Sequence, residues 1–436
     1  MIQEFSLKNY LSIKDTQTLS FVPRRSDLKN PTFTAEVAPG VRLLRTAILY
    51  GANASGKSNI LSGLDMLRNI VIKMRKRGSN TGFIPFRFNQ QSLQSPGEFD
   101  IVFYQRQNKF RYYLKLTETE ILEEELNYYQ SQSPSLVYYR KTINEQDIRI
   151  DFGKSCKINA SEEEMIRARV LPNMSVLSSL GEVSIRDDVL LRSYNWFSKV
   201  LKPIITPDTR LRDYTADMIA ENIQIKKLLT EIMKASDFNI AQIISEKEFI
   251  KFDLDHIKKM PGELPEILIK NIEENGGLWK KNLGLLHSVI ENGEAHNYLL
   301  EEELESRGTW RYFGLAGPLL EALRANKVLF IDELDSSLHP DLLNFFISIF
   351  IVNSKRAQLI VTVHNRELLD DKELCRSDSI WFTEKQKDGS TELYSVADIT
   401  GIRKDASYEG LYKSGKFGAT PNLGSIYLDL DYEDEN

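Results

Sequence analysis

The chain opens on an alternation of apolar and polar positions. Ile2, Phe5 and Leu7, then Ile13, Leu19 and Phe21, are separated by polar residues, which predicts β-structure at the start. The compact run Thr46-Ala47-Ile48-Leu49-Tyr50 predicts a buried strand. After Gly56 the apolar residues Ile60, Leu61, Leu64, Leu67, Ile70 and Val71 recur at helical spacing, so this stretch reads strand, glycine loop, helix. Over 98–116 two aromatic and β-branched runs flank a polar turn at 105–109, which predicts a hairpin, and strand-like pieces continue through Tyr138 and Ile150.

The period changes near Ser161. Ser161 followed by Glu162, Glu163 and Glu164 predicts a capped helix start. Helical spacing then runs to about Lys259, as in Met218, Ile219, Ile223, Leu228, Ile232 and Met233, without a heptad seam long enough for a coiled coil. Strand-like sequence returns before Gly308. A helix over 313–324, a strand over 328–331, a helix over 341–353 and a buried strand over 359–363 follow. The two ends read α/β and the centre reads as a helical insertion.

Composition narrows the class. With 42% hydrophobic and 27% charged residues the chain has the make-up of a soluble globular protein, and wholesale disorder is excluded. A formal net charge of −6 makes it a poor generic binder of polyanions. Two cysteines, Cys156 and Cys375, are too few for a disulfide framework or a cysteine-rich zinc site, and their scarcity fits a reducing cytoplasm. The first residues lack a basic-then-apolar leader pattern, and the apolar run over 342–352 is too short to span a bilayer. The expected location is cytoplasmic, with no membrane partner.

The candidate chemistry lies in two distant stretches. Gly51-Ala52-Asn53-Ala54-Ser55-Gly56-Lys57-Ser58 satisfies the phosphate-loop pattern, with the hydrophobic strand before it and the helix after it that the chemistry requires. Its glycines let backbone N–H groups turn toward phosphate, and the helix N-terminus adds partial positive charge. Residues Asn53, Ala54, Ser55, Gly56, Lys57, Ser58 and Asn59 are therefore the expected ATP-binding set. Lys57 would reach the β- and γ-phosphates, and Ser58 would offer its hydroxyl to Mg²⁺. Leu329-Phe330-Ile331-Asp332-Glu333 is the complementary half, a buried strand delivering carboxylates at its C-terminal end. Asp332 is suited to hold Mg²⁺ and Glu333 to orient and deprotonate the attacking water. His364, after the next buried strand, is a candidate contact for the γ-phosphate or that water.

In this order the pieces resemble the ABC/SMC-type ATPases. The closer likeness is to the AAA-15/AAA-21 group, with its overcoming-lysogenisation-defect nucleases and its AbiL-type or PARIS-type abortive-infection ATPases. The segments that carry it are Ile2 to Ser12, Leu49 to Asn59, Glu305-Ser306-Arg307-Gly308-Thr309, Phe330 to Pro340, and Thr362-Val363-His364-Asn365. The resemblance implies an α/β P-loop head of the ABC type formed by both chain ends, with a β-rich arm and an inserted α-helical domain. The divisions would be a first half of the head with a β-subdomain over 1–154, the helical insertion over 155–285, and the second half with an acidic tail over 286–436. It also implies a homodimer or higher homo-oligomer, in which each ATP lies between the P-loop of one subunit and the shortened signature Ser306, Gly308 and Thr309 of the other. Asp335 and His339 would sit in the inter-subunit loop, and Gln90 and Gln91 are candidates for the family's glutamine loop.

The functional expectation is a Mg²⁺-dependent ATPase of phage defence. Its dimer closure would sense infection, through a nucleic-acid or phage trigger, and control a separate toxic effector, a nuclease. About 70 residues follow His364, too few for a typical nuclease domain. A DNA-maintenance clamp of the SMC kind and a nucleotide-gated scaffold with negligible turnover remain as alternatives, and GTP stays open beside ATP. Lys73, Arg75, Lys76 and Arg77 read as a solvated helix end rather than a DNA patch, and His256, His287 and His296 lack metal-ligand spacing. The acidic residues Asp429, Asp431, Glu433, Asp434 and Glu435 read as a solvated tail.

Overall fold

A computed structural model describes residues 1–24, 31–131, 133–144, 147–236, 238–251, 276–300, 302–403 and 406–420. The acidic tail and His256 lie outside the described residues. The chain divides into two compact units. The first is Met1–Pro207 with Ala325–Ser336 and Phe346–Asn436, and the second is Asp208–Arg324 with Ser337–Phe345. The stretch expected as one helical insertion, 155–285, is thus shared between the two.

The first unit is α/β and carries two large sheets. One has the strand order Val328–Ile331, Gln358–Thr362, Thr46–Tyr50, Ile380–Lys385, Thr391–Ser395. The first four run parallel and the last is antiparallel. The three strands at the acidic and P-loop side are buried at every residue, which is why they appear in the sequence as largely apolar runs, broken only by Thr46, Gln358 and Thr362. Helix Lys57–Ile72 buries the predicted stripe Ile60, Leu61, Leu64, Leu67, Ile70 and Val71.

The other sheet is antiparallel and seven-stranded, in the order Asp147–Phe152, Ser135–Asn144, Ile121–Tyr129, Asn108–Leu116, Gly97–Gln105, Ile2–Lys8, Gln17–Ser20. It contains the expected hairpin, turned at Arg106 and Gln107 between the paired Gln105 and Asn108. Gln358 ties the two sheets together. This fully buried amide accepts from the Ile2 N–H and donates to the carbonyls of Ile2 (2.8 Å) and Leu44 (3.1 Å).

Two local readings are corrected. The capping box sits at Asn159 and not at Ser161. Asn159 Oδ1 accepts the Glu162 N–H, and Glu162 Oε2 accepts the Asn159 N–H, both at 2.9 Å. The three-residue spacing is the same, and asparagine caps as well as serine does. Helix Ile223–Ala235 gives way to Ile240–Lys251, a strand paired with Gly277–Glu291, and residues 252–259 of the expected helical stretch lie outside the described residues. Long-range pairing overrides a helical spacing there, in a stretch where Ile240, Ile243, Ile244 and Phe249 also favour a pleated surface.

The second unit holds helices Leu211–Glu221 and Ile223–Ala235, and a three-stranded antiparallel sheet ordered Ile240–Lys251, Gly277–Glu291, Glu294–Leu300. Most of helix Arg307–Ala325 also belongs to it, starting six residues before the predicted 313 and continuing through Pro318. Proline has no N–H, so the carbonyl four residues earlier, that of Gly314, loses its helical donor. Thr215 Oγ1 donates to that carbonyl at 2.8 Å from a fully buried position. Gly317 permits the approach, since a Cβ there would lie 2.2 Å from Thr215 Oγ1. Thr215→Val keeps the shape and removes the donor. We expect it to lower stability by about 1–3 kcal/mol while Thr215→Ser stays near wild type, read from denaturant midpoints. Equal midpoints for the valine and serine variants would refute this account of the helix.

Among the described residues no helix is long and apolar enough to cross a membrane. Both cysteines are free. Burial, and then the charge of Asp187, push the Cys156 thiol up to about 12, and burial pushes Cys375 up further. With so little thiolate at pH 8, neither should react with iodoacetamide until denaturant is added. Intact-mass measurement of the native protein checks this, and rapid single labelling at Cys156 would contradict it.

Candidate functional site

Strand Thr46–Tyr50 delivers the chain to Gly51, and the loop that follows has left-handed backbone at Ala54 (φ 60°) and Gly56 (φ 104°) before the helix begins at Lys57. A Cβ on Gly56 would lie 2.1 Å from Thr391 Oγ1 and 2.7 Å from Ser12 Oγ. The loop is backed that closely by a chain of hydroxyls. Asn59 Nδ2 donates to Ser12 Oγ (2.7 Å), Ser12 Oγ lies 2.7 Å from Thr391 Oγ1, and Thr391 Oγ1 donates to the Ser55 carbonyl (2.7 Å). Thr391 spends its proton on that carbonyl, so Ser12 must be the donor to Thr391. Ser55 Oγ lies 2.6 Å from Thr383 Oγ1, which itself donates to the Tyr50 carbonyl. The last two strands and the N-terminal turn thus hold the P-loop from behind.

Lys57 is buried inside the loop, its ammonium donating to the carbonyls of Gly51 (2.8 Å) and Ala52 (3.2 Å). Burial lowers its pKa, and the charges of Asp332, Glu333 and Asp335 act against that shift. The two stretches distant in sequence therefore share one electrostatic neighbourhood. Their strands are not adjacent: Gln358–Thr362 lies between the acidic strand and the P-loop strand.

Thr362, at the end of that intervening strand, organises the acidic side. Its Oγ1 donates to Asp332 Oδ1 (2.6 Å) and accepts the Glu333 N–H (2.7 Å). Glu333 holds left-handed backbone at φ 48°, a conformation a non-glycine residue keeps only when its surroundings impose it. Asp335 Oδ2 accepts the N–H groups of His364 (2.7 Å) and Asn365 (2.8 Å), while its buried Oδ1 has no protein partner. His364 is fixed through its backbone, with its side chain exposed.

Asn53 and Ala54 are exposed at the loop tip, Ser55 and Gly56 are buried in it, and Ser58 is half-buried at the first turn of the helix. Asn59 is directed back at Ser12. The Ser58 hydroxyl and the Asp332 carboxylate are hard oxygen donors of the kind Mg²⁺ takes. Among the described residues no group of three His, Cys, Asp or Glu could hold a metal, and Mg²⁺ bound through one carboxylate, one hydroxyl and phosphate needs none.

In the second unit, Ser306 Oγ accepts the Thr309 N–H (3.0 Å) and lies 2.8 Å from Thr309 Oγ1, the arrangement of a helix N-cap. A Cβ on Gly308 would lie 3.0 Å from the Ser337 carbonyl. Ser306 is exposed and Thr309 is buried. His339 is exposed, with Nδ1 3.3 Å from Asp341. Gln90 and Gln91 are exposed on the short helix Gln90–Gln94. His287 pairs with Glu305, His296 is exposed on a hairpin, and Lys73, Lys76 and Arg77 are exposed while Arg75 donates to the Thr81 carbonyl (2.9 Å).

Sequence reasoning missed Thr383 and Thr391, and met Ser12 and Thr362 only as parts of resembling segments. Each hydroxyl acts on a partner far away in the chain, 336 residues for Thr391 and Ser55, so no local spacing marks it. The only trace is a threonine within an otherwise apolar buried run, as at Thr362 and Thr383.

A family described as "AAA domain, putative AbiEii toxin, Type IV TA system" matches residues 47–370. Among solved structures, the chain is similar to the SMC head domain from Thermotoga maritima, at 14% identity and a TM-score of 0.40, covering 90% of this chain and 98% of that one. It is similar to the SmcHead bound to the C-winged helix domain of ScpA, at 13% identity and a TM-score of 0.41, covering 90% and 97%. It is also similar to the Pyrococcus furiosus Smc head with an extended coiled coil bound to the C-terminal domain of ScpA, at 13% identity and a TM-score of 0.37, covering 95% and 98%. No curated protein sequence matches the chain.

Proposed function

The chain belongs to this AAA-domain family, and on that footing we propose that it binds and hydrolyses ATP at the P-loop and couples the reaction to closure of a homodimer. The observation that carries the reading is Lys57 lying in the field of Asp332, Glu333 and Asp335 while a single hydroxyl, Thr362, holds both Asp332 and Glu333.

The loop amides and the helix N-terminus receive the phosphates, and Lys57 exchanges its two carbonyl partners for phosphate oxygens. Ser58 and Asp332 would hold Mg²⁺, which supplies charge neutralisation on the phosphates. Glu333 takes the proton of the attacking water as its oxygen bonds to the γ-phosphorus and the bond to the bridging oxygen of ADP breaks. His364, at the neighbouring strand tip, contacts the γ-phosphate or the water. Ser306, Gly308 and Thr309 of a second copy approach the same γ-phosphate, where a small hydroxyl and a glycine let backbone come close. Closure on ATP is the output, read by a separate toxic effector, a nuclease, in a defence response to phage.

The test is purification with the proteins encoded beside it, followed by native mass measurement with and without ATP and Mg²⁺. A step up in homo-oligomer mass on adding ATP and Mg²⁺, with a nuclease bound, supports the reading. A mass that ATP leaves unchanged, with no nuclease bound, overturns it.

A further inference from the structure

Among the described residues, the sheet of the second unit ends in an edge that no other strand pairs with. Strand Glu294–Leu300 lies at the border of the order Ile240–Lys251, Gly277–Glu291, Glu294–Leu300, and six of its seven residues are exposed. It contains neither lysine nor proline and pairs with its neighbour without a register shift, so of the devices that usually blunt an edge its own sequence carries only the charge of Glu294, beside the turn.

The turn dictates which backbone groups face outward. Asn292 (φ 53°) and Gly293 (φ 87°) form a two-residue loop with both residues left-handed, between the paired Glu291 and Glu294. Such a turn closes with a bond between the residues that flank it, and hydrogen-bonded pairs then alternate along the ladder. Residues 294, 296, 298 and 300 therefore turn their N–H and C=O groups toward the hairpin. Ala295, Asn297 and Leu299 turn theirs to the free edge.

We propose that this edge pairs antiparallel with the same edge of a second copy of this chain, with Asn297 on the two-fold axis. Ala295 of one copy then lies opposite Leu299 of the other, and both are outward-facing positions, as a hydrogen-bonded ladder requires. Within the hairpin, Leu286 pairs with Leu299 and Ile290 with Ala295. Joining two copies extends these pairs into rows: Leu286, Leu299, then Ala295 and Ile290 of the second copy, and the same row reversed. The rows cover Ile290 and Leu299, which are 78% and 57% exposed. On the opposite face Glu294 meets Leu300 and His296 meets Tyr298, so no like charges oppose one another. The edge is complementary to itself in hydrogen bonding and in apolar surface.

This contact uses no P-loop or signature residue and needs no nucleotide, so it is tested on the full chain by sedimentation without ATP. Wild type should form a dimer as concentration rises. Asn297→Lys and Asn297→Glu each place two like charges together on the axis, and each should weaken that dimer at least about 10-fold. Mixing the two variants in equal amounts should restore it as a mixed dimer. Circular dichroism matching wild type confirms that the exposed substitutions leave the fold intact, and Asn297→Pro, which removes an outward N–H alone, should behave like the charged variants. A wild type that stays monomeric without ATP, charged variants that associate as tightly as wild type, or a mixture that does not recover would each overturn the proposal. None of these outcomes bears on ATP hydrolysis, which is read separately.

Discussion

Glu333→Gln lowers ATP turnover by about 10²–10⁴-fold while ATP binding persists. The amide has nearly the shape of the carboxylate and can still orient a water, but it cannot accept the proton. The backbone at this position is set by the Thr362 hydroxyl receiving the Glu333 N–H at 2.7 Å and by the left-handed φ of 48°, and neither depends on the side-chain charge. Loss of rate with retained affinity therefore isolates the chemistry from the fold. Phosphate release gives the rate, and equilibrium binding of labelled ATP gives the affinity. The same pair of measurements separates the enzyme from a nucleotide-gated scaffold. Equal, near-zero turnover in wild type and variant would favour the scaffold.

Gly56→Ala weakens ATP binding by at least about 100-fold, equivalent to about 2.7 kcal/mol. Two costs combine. The alanine must hold φ 104°, a region that costs about 1–3 kcal/mol for a residue with a side chain. Its Cβ must also displace Thr391 Oγ1 at 2.1 Å and Ser12 Oγ at 2.7 Å, which breaks the chain of hydroxyls supporting the Ser55 carbonyl. Relief by movement opens the loop that the phosphates require. Gly40→Ala is the control: its φ is 74°, but a Cβ there meets nothing within 4 Å. It should lose a little stability and keep its ATP affinity. Calorimetric titration of both variants checks the contrast, and equal affinities in the two would refute the close backing of the loop.

The parallel strands at 46–50, 328–331 and 358–362 were legible because strands buried on both faces are apolar at most positions, and helix Lys57–Ile72 because its buried stripe repeats at helical spacing. The reading failed where a local pattern had two solutions. Residues 240–251 carry apolar positions compatible with either period, and only pairing with Gly277–Glu291 selects the strand. The helix expected over 313–324 does run through Pro318, and only the structure shows why: Thr215, from another helix, replaces the hydrogen bond that proline removes.

The amino-acid order by itself determined the phosphate loop, the acidic strand end and the strand that leads to His364, since each is a short-range pattern whose chemistry lies within a few residues. Folding alone decided that the strand ending in Thr362 lies between the other two, that Thr362 holds Asp332 and Glu333 together, and that Ser12, Thr383 and Thr391 brace the loop. It also decided that, among the described residues, the strand at 294–300 lies at the border of its sheet. These features join residues that are neighbours only in space, where sheet order and hydroxyl partners follow from the packing of the whole core and leave no periodic mark along the chain.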